Sequence, residues 1–361
     1  MNLSKYYKKG YTGIDNLGNT CFLNSCLQVL NHTYEMNDIL DKKGAQQMKT
    51  GIPDTDILKE WNDLRAVMWS GNGVVSPNKF VHNVHTIAKI KNKEIFTGWT
   101  QNDMPEFLLF MIECVHNSLS RGVSIKISGK KENNLDEIAV KCYSMLQDVY
   151  SKEYSEIMDL FFGIYMSEIA AKDDSKTHTI KPENFFMLDM PVLDGSKLAN
   201  NLYECFDMFT KTEYLEGDNA WFNEATGQKE DIKKRIKFWN FPKILVIALK
   251  RFSPDGRQKL NSMIDFPLDG LDLSRYVSGY SASTYKYNLY GVCNHSGGVM
   301  GGHYTAFVKH ADGKWIHFND SNVEMVENPS NIVTPLAYCL FYRIGGTPGL
   351  APHTLNDASR R

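Results

Sequence analysis

The feature that most constrains how this chain can fold is a change of hydrophobic period near residue 161. Before it, apolar side chains recur at helical spacing; after it, they gather in short runs broken by polar turns. Residues 21–30 place Phe22, Leu23, Cys26, Leu27 and Leu30 on a helix face, preceded by the N-cap types Asn19 and Thr20. Asp54 to Trp69 repeats the pattern with Ile57, Leu58, Trp61, Leu64 and Met68. A third helix is predicted from near Pro77, with Phe80, Val81, Val84 and Ile87 inward. A fourth follows Gln101, through Phe107, Leu108, Met111, Ile112 and Val115. Leu135 to Phe162 continues in helical register, and the polar stretch Arg121 to Asn134 reads as a loop or hairpin. Beyond it, Phe185 to Val192, Ile244 to Leu249, Tyr287 to Cys293, Tyr304 to Val308, Trp315 to Phe318 and Tyr338 to Tyr342 read as strands. Turn signals such as Pro254-Asp255-Gly256 and Ala311-Asp312-Gly313 separate them. Helices first and antiparallel strands later define an α+β fold.

Composition narrows the function. Forty Lys and Arg against forty-two Asp and Glu leave a formal net charge of -2, without the basic excess of a nucleic-acid binder. No apolar run approaches the ~20 residues of a membrane helix, and Met1 to Gly10 lacks the apolar stretch of a signal peptide. The expectation is a soluble protein of the cytoplasm or nucleus, acting as a monomer, with neither nucleic acid nor membrane as partner. The seven cysteines, Cys21, Cys26, Cys114, Cys142, Cys205, Cys293 and Cys339, are scattered and contain no Cys-x-x-Cys. They describe neither a zinc site nor a disulfide framework, and free thiols suit a reducing compartment.

One thiol stands apart. Cys21 follows Gly18-Asn19-Thr20 and opens the first predicted helix, where the helix dipole favours a thiolate. A thiol nucleophile also needs a base that returns the proton to a leaving amine, and donors for an oxyanion. Asn16, five residues upstream, has an amide that can point back at the same spot. From this segment alone, a buried structural thiol is as good a reading; for Cys26, on the core face, it is the better one. Among ten histidines, His303 has the setting of a base, in Gly301-Gly302-His303-Tyr304 after His295-Ser296-Gly297-Gly298. Glycines let backbone approach closely and let a loop move. His295 is left undecided, as a residue that lines the cleft without acid–base work, and His32, His82, His85, His116, His178, His310 and His353 read as solvated loop histidines. Asn319 and Asp320 end the next predicted strand, and hairpin pairing brings that end back beside His303. Either side chain can accept from the imidazole; a plain Asn-Asp turn is the bland alternative.

These residues resemble landmarks of the ubiquitin-specific proteases. Gly13 to Leu30 looks like their Cys box, and Tyr287 to Val308 with Trp315 to Val323 looks like their His box. Gln101-Asn102-Asp103-Met104-Pro105-Glu106-Phe107-Leu108, Leu249-Lys250-Arg251-Phe252 and Phe266-Pro267 resemble the landmarks between them. The resemblance runs from about residue 12 to 343, and the order of five landmarks makes it specific. It implies a papain-like cysteine protease built as thumb, fingers and palm: a helical thumb at about 12–160, fingers at about 161–250 and an antiparallel β palm at about 251–343. Residues 1–11 are then an N-terminal extension and 344–361 a disordered tail. It implies a deubiquitinase in which Cys21 attacks the carbonyl of ubiquitin's last glycine and His303 shuttles the proton. Asn319 becomes the third catalytic member, with Asp320 as assistant or substitute, and Asn16 the oxyanion donor. Gln101, Asp103, Glu106 and Tyr304 become substrate contacts. Asp103 and Glu106, three apart on one helix face, resemble an acidic clamp for the arginines of ubiquitin's tail. Tyr304 is placed over the Gly-Gly end.

The sequence also departs from the family. Many members carry two Cys-x-x-Cys pairs at the fingertips. Here those positions, near Ala170 to Asp174 and Asn223 to Thr226, hold no cysteine, and His178 alone cannot supply four ligands. No metal and no cofactor is expected, and the fingers are expected to rest on packing around Trp221, Phe222 and Trp239. Two other functions compete: an inactive relative that binds ubiquitin, against which the presence of Cys21 and His303 counts, and a protease for a ubiquitin-like modifier with a similar tail. A papain-like general protease is disfavoured because its local cysteine signature is absent.

Overall fold

The computed structural model describes residues 2–43, 47–253, 255, 257–299 and 301–345. The tail expected to be disordered lies, apart from Ile344 and Gly345, outside the described residues. The helices are α1 (Cys21–Asn31), α2 (Tyr34–Lys43), α3 (Asp54–Ser70), α4 (Asn78–Ile90), α5 (Met104–Leu119), α6 (Asn134–Tyr150), α7 (Glu156–Phe161) and α8 (Leu202–Phe209). The helical register of Leu135 to Phe162 is therefore interrupted. Tyr154 pairs its backbone with Arg121 between α6 and α7, which removes the residues between them from the helix ladder. α2 and α8, ten and eight residues long, have no counterpart among the helices expected from periodicity. Residues 2–11 do not trail: Tyr6 is buried, its ring centroid 4.5 Å from that of Tyr34 and 4.6 Å from that of Trp69.

The strands form two main sheets. The palm sheet runs in the order Asn322–Val326, Trp315–Asn319, Gly301–Lys309, Lys286–Gly298, Ala337–Ile344, Ile244–Lys250 and Met187–Pro191. Its pairs along this path are antiparallel except the last, where Ile244–Lys250 and Met187–Pro191 run parallel. The segment 161–250, expected to be fingers, is thus shared: these two strands belong to the palm. The fingers proper are a four-stranded sheet of Thr177–Phe185, Gly163–Ala171, Ile232–Asn240 and Glu213–Leu215.

Both faces of the palm sheet are covered. Along Ile244–Lys250 the side chains alternate between cores, Ile244 and Val246 to one, Leu245, Ile247 and Leu249 to the other. A strand covered on both sides reads as a continuous apolar run, as this one does. The first core is shared with the helices. Every residue of α1 is buried, and Leu23, Leu27 and Leu30 lie in one cluster with Trp61, Phe107, Tyr304, Ala306 and Phe318. That shared core wedges the α1 N-terminus against strand Gly301–Lys309, which fixes Cys21 and His303 on facing elements.

The packing expected to hold the fingers involves two of the three named aromatics. Phe222 is exposed, and Trp239 is buried at the base of the fingers against Tyr143 and Tyr280. Trp221, beside Phe222 in the strand Trp221–Asn223, sets its ring 5.4 Å from that of His178. Charged pairs add to the packing of Ile164, Met166 and Trp239 at the base. Glu168 is buried and accepts from its cross-strand partner Arg235 and from Lys237; Asp174 pairs with Lys233 and Arg235. Glu230 accepts from Asn223 at 2.7 Å and Thr226 at 2.9 Å. Burial pushes the Glu168 carboxyl up, but bonds and charge from Lys237 and Arg235 outweigh it and hold the group below its ordinary 4.5. A carboxylate depressed on folding stabilises above its unfolded value, and the contribution is lost as pH falls through the folded one. Glu168→Gln is expected to destabilise the protein by about 3 kcal/mol at pH 7, because two cations lose a buried partner. The difference in melting temperature between wild type and variant should shrink as the pH drops below about 4. A difference independent of pH would show that the ladder does not hold the fingers.

Candidate active site

The site is assembled from four stretches: the turn before α1, the start of α5, the strand pair around the Gly297–Gly302 turn, and the hairpin after Trp315–Asn319. Cys21 is the first residue of α1 and only 3% exposed. Gly18 at φ +106° and Asn19 at φ +57° make the turn that delivers it. Asn16 Oδ1 accepts from the backbone N–H groups of Gly18 at 3.0 Å and Thr20 at 3.1 Å, locking that turn. The helix-dipole argument expected a lowered thiol pKa, and the structure gives the opposite balance. Burial pushes the Cys21 thiol up; a bond with the Tyr304 backbone opposes this, and the nearby Asp320 carboxylate adds to it. A thiol held up in this way needs a base to ionise it.

His303 lies on strand Gly301–Lys309, and its Nε2 is 2.7 Å from Asn319 Oδ1. The same nitrogen is 4.0 Å from Asp320 Oδ2, beyond hydrogen-bond reach. Asn319, and not Asp320, is the imidazole's hydrogen-bond partner in this geometry. That bond occupies Nε2 and not Nδ1. Asp320 is engaged elsewhere. Its Oδ2 accepts from Asn16 Nδ2 at 2.9 Å, and its Oδ1 from Asn24 Nδ2 at 2.8 Å. Asp320 sits at φ +51°, a left-handed conformation that Asp tolerates in a hairpin turn, and its carbonyl accepts from Ile14 N–H. Asn24, buried one turn into α1, was not singled out from sequence; its place three residues beyond Cys21 on α1 was the available signal.

Gln101 and the glycines close the base-bearing loop. Gln101 Nε2 donates to the Gly302 carbonyl at 2.8 Å, and Gly302 N–H donates to Gln101 Oε1 at 2.7 Å. A Cβ at Gly302 would meet Ser296 O at 2.1 Å and His295 Nε2 at 2.4 Å, so only glycine fits. Asp103, at the N-cap of α5, reaches across to the palm. Its Oδ1 accepts from Tyr304 OH at 3.0 Å and its Oδ2 from Tyr338 OH at 3.2 Å. Burial pushes its carboxyl up to about 6, against the lowering effect of both hydroxyls. Tyr304 is itself buried, with its ring 4.7 Å from His295. It forms a wall of the thumb–palm seam rather than an open lid. Glu106 is exposed on the first turn of α5. His295 lines the seam; burial, with Lys259 and His303 nearby, takes its pKa down to about 4, so it stays neutral and does no acid–base work near pH 7. Tyr338 joins this group unforeseen, because its partner Asp103 is distant in sequence.

A thiol at a helix head, a strand-borne imidazole and an amide oxygen behind the imidazole, with a second amide aimed from the preceding turn, are the parts of a thiol hydrolase. The family model for ubiquitin carboxyl-terminal hydrolase matches residues 12–342, and the chain belongs to that family. It is 36% identical over 350 residues to ubiquitin carboxyl-terminal hydrolase 2 of Homo sapiens, covering 94% of this chain and 56% of that protein. It is 32% identical over 363 residues to ubiquitin carboxyl-terminal hydrolase 21 of Homo sapiens, covering 94% and 62%. The chain thus spans less than two thirds of the length of these relatives. Among solved structures, the SAGA DUB module of Ubp8, Sgf11, Sus1 and Sgf73 bound to monoubiquitin superposes with a TM-score of 0.72 at 25% identity, over 96% of this chain and 72% of that one. The module bound to ubiquitin aldehyde gives 0.70.

Proposed function

We propose that this chain is a thiol-dependent deubiquitinase that hydrolyses the bond after the C-terminal glycine of ubiquitin. The observation that carries the reading is the 2.7 Å bond from His303 to Asn319, in a chain whose Cys21 heads the facing helix. His303 Nδ1 takes the Cys21 proton as Sγ attacks the glycine carbonyl. The oxyanion is met by the second N–H of the Asn16 amide, which Asp320 holds in place. His303 then protonates the leaving lysine amine as the C–N bond breaks. Water, deprotonated by the same imidazole, opens the thioester and returns the thiol. All these residues come from one chain, so a monomer suffices. The seven thiols are free, which favours a reducing intracellular compartment.

Release of ethanol from ubiquitin ethyl ester is the direct test. Turnover supports the proposal. Ubiquitin binding without turnover would indicate an inactive reader, and no binding at all would point to a ubiquitin-like modifier. A pH prediction follows from Asp103 as part of an arginine clamp. Its carboxyl, pushed up to about 6, is largely charged at pH 7.5 and loses that charge as the pH falls through 6. KM for ubiquitin substrates is expected to rise several-fold between about pH 7.5 and pH 5.5. In Asp103→Asn, KM should be high at both values. A wild-type KM that is flat across this range would remove Asp103 from the clamp.

A further inference from the structure

The segment between α5 and α6 is not a hairpin. From Val123 to Ser128 its burial alternates: Val123, Ile125 and Ile127 are half-buried, and Ser124, Lys126 and Ser128 are exposed. A period of two, with β-branched residues on the inner side, is the pattern of an extended strand. Yet the segment belongs to no sheet among the described residues. Its inner edge is engaged by α6. Val123 N–H donates to the Tyr150 carbonyl at 2.7 Å, and the Ile125 carbonyl accepts from Gln147 Nε2 at 2.7 Å. In an extended chain the backbone groups of alternate residues point to opposite edges. Those of Ser124, Lys126 and Ser128 therefore face away from α6, and none of them is bonded to a described residue.

The same segment walls a cavity of about 340 Å³. That is near the lower end of the range for ligand sites, with room for one or two side chains. Its apolar lining includes Ile125 and Ile127, Val140, Tyr143 and Leu146 of α6, and Tyr280 of the palm. Its charged lining is Lys126, Lys130, Lys131 and Asp136. The carboxylate is already occupied, accepting from Tyr280 OH and from the backbone N–H groups of Glu132 at 3.0 Å and Asn133 at 3.2 Å. The three lysines are exposed, and among the described residues none of them meets a carboxylate.

We infer that Ser124 to Lys131 is a docking edge for a partner protein, which lays an extended acidic segment along it and sets one apolar side chain into the cavity. An unpaired strand edge is a template for another chain, and pockets for alternate side chains give such pairing its specificity. The unpaired lysines favour acidic neighbours of the apolar anchor and disfavour a second copy of this basic segment. No lining residue belongs to the Cys21–His303 site, so the inference goes beyond the proposed hydrolysis and does not rest on it.

The test pans displayed random peptides of about twelve residues against the full chain, with Lys126→Glu/Lys130→Glu/Lys131→Glu as counter-target. Enriched peptides are expected to carry Asp or Glu flanking an aliphatic or aromatic residue. They should bind the charge-reversed variant about tenfold more weakly or worse, and lose affinity as salt rises. Val140→Trp, which fills the cavity, should weaken them similarly; if it fails to fold, the charge reversal decides alone. Peptide binding should slow hydrogen exchange at the Ser124, Lys126 and Ser128 amides by about tenfold or more. Turnover of ubiquitin ethyl ester should stay within about twofold in both variants. No enrichment over the counter-target, enriched peptides without acidic residues, or unchanged exchange at the three amides would each overturn the inference. So would a wild-type dimer in analytical ultracentrifugation that the charge reversal abolishes, since the occupant would then be a second copy. A raised KM for the ester in the charge-reversed variant would overturn it too, by making the cavity part of the ubiquitin-binding surface.

Discussion

Cys21→Ala is expected to reduce turnover by on the order of 10⁴-fold or more while leaving ubiquitin binding intact. The size of the effect follows from the chemistry: without sulfur there is no thioester, and His303 has no proton to take. Retained binding follows from the proposed clamp, because the bonds of Asp103 to the Tyr304 and Tyr338 hydroxyls do not involve the thiol. The fold should tolerate the change. Removing one buried sulfur leaves a small gap, worth about 1 kcal/mol. The other six thiols cannot stand in. All are buried, and burial pushes each of them up, Cys142 and Cys205 to about 12. The measurement is adduct formation with ubiquitin carrying a C-terminal electrophile, paired with calorimetric binding of unmodified ubiquitin. An adduct that persists in the variant would place the nucleophile elsewhere. Loss of binding together with the adduct would mean that Cys21 shapes the site as well as reacting in it.

The second large effect separates two neighbours with different work. Asn319→Ala removes the acceptor of His303 Nε2, so the imidazole loses its orientation and tautomer. A fall in kcat on the order of 10²- to 10³-fold is expected. Asp320→Ala leaves that bond alone and frees Asn16 and Asn24 instead. It should lower kcat by about 10²-fold, the scale of one lost oxyanion donor. The two variants differ in sign at the thiol. The Asp320 carboxylate is among the causes that hold the Cys21 pKa up, after burial. Removing it should make Cys21 easier to ionise, so alkylation by iodoacetamide should start at lower pH even as catalysis fails. Asn319→Ala should not produce that shift through charge, since the side chain it removes is neutral. Asn24→Ala is expected to follow Asp320→Ala in kcat but not in the alkylation profile, because Asp320 keeps its charge. If Asp320→Ala leaves both kcat and the alkylation profile unchanged, the assignment of Asp320 to the oxyanion side is wrong.

What the sequence could determine by itself was whatever is written in local periodicity or in landmarks along the chain. The change of period near residue 161 separated helices from strands because side-chain repeats of 3.6 and 2 residues are properties of adjacent positions. Cys21 at a predicted helix start and His303 among glycines were legible for the same reason, as was the choice between Asn319 and Asp320 as a question. Which of them bonds the imidazole was not, because it depends on which way a left-handed Asp320 turns its carboxylate, toward the imidazole or toward Asn16 and Asn24 about 300 residues earlier. Tyr338 beside Asp103, Gln101 around Gly302, and the Glu168–Arg235 ladder at the fingertips are likewise meetings of distant segments. The direction of the Cys21 pKa was decided by depth: a helix dipole is local and readable, but the burial that outweighs it exists only once α1 is wedged between thumb and palm.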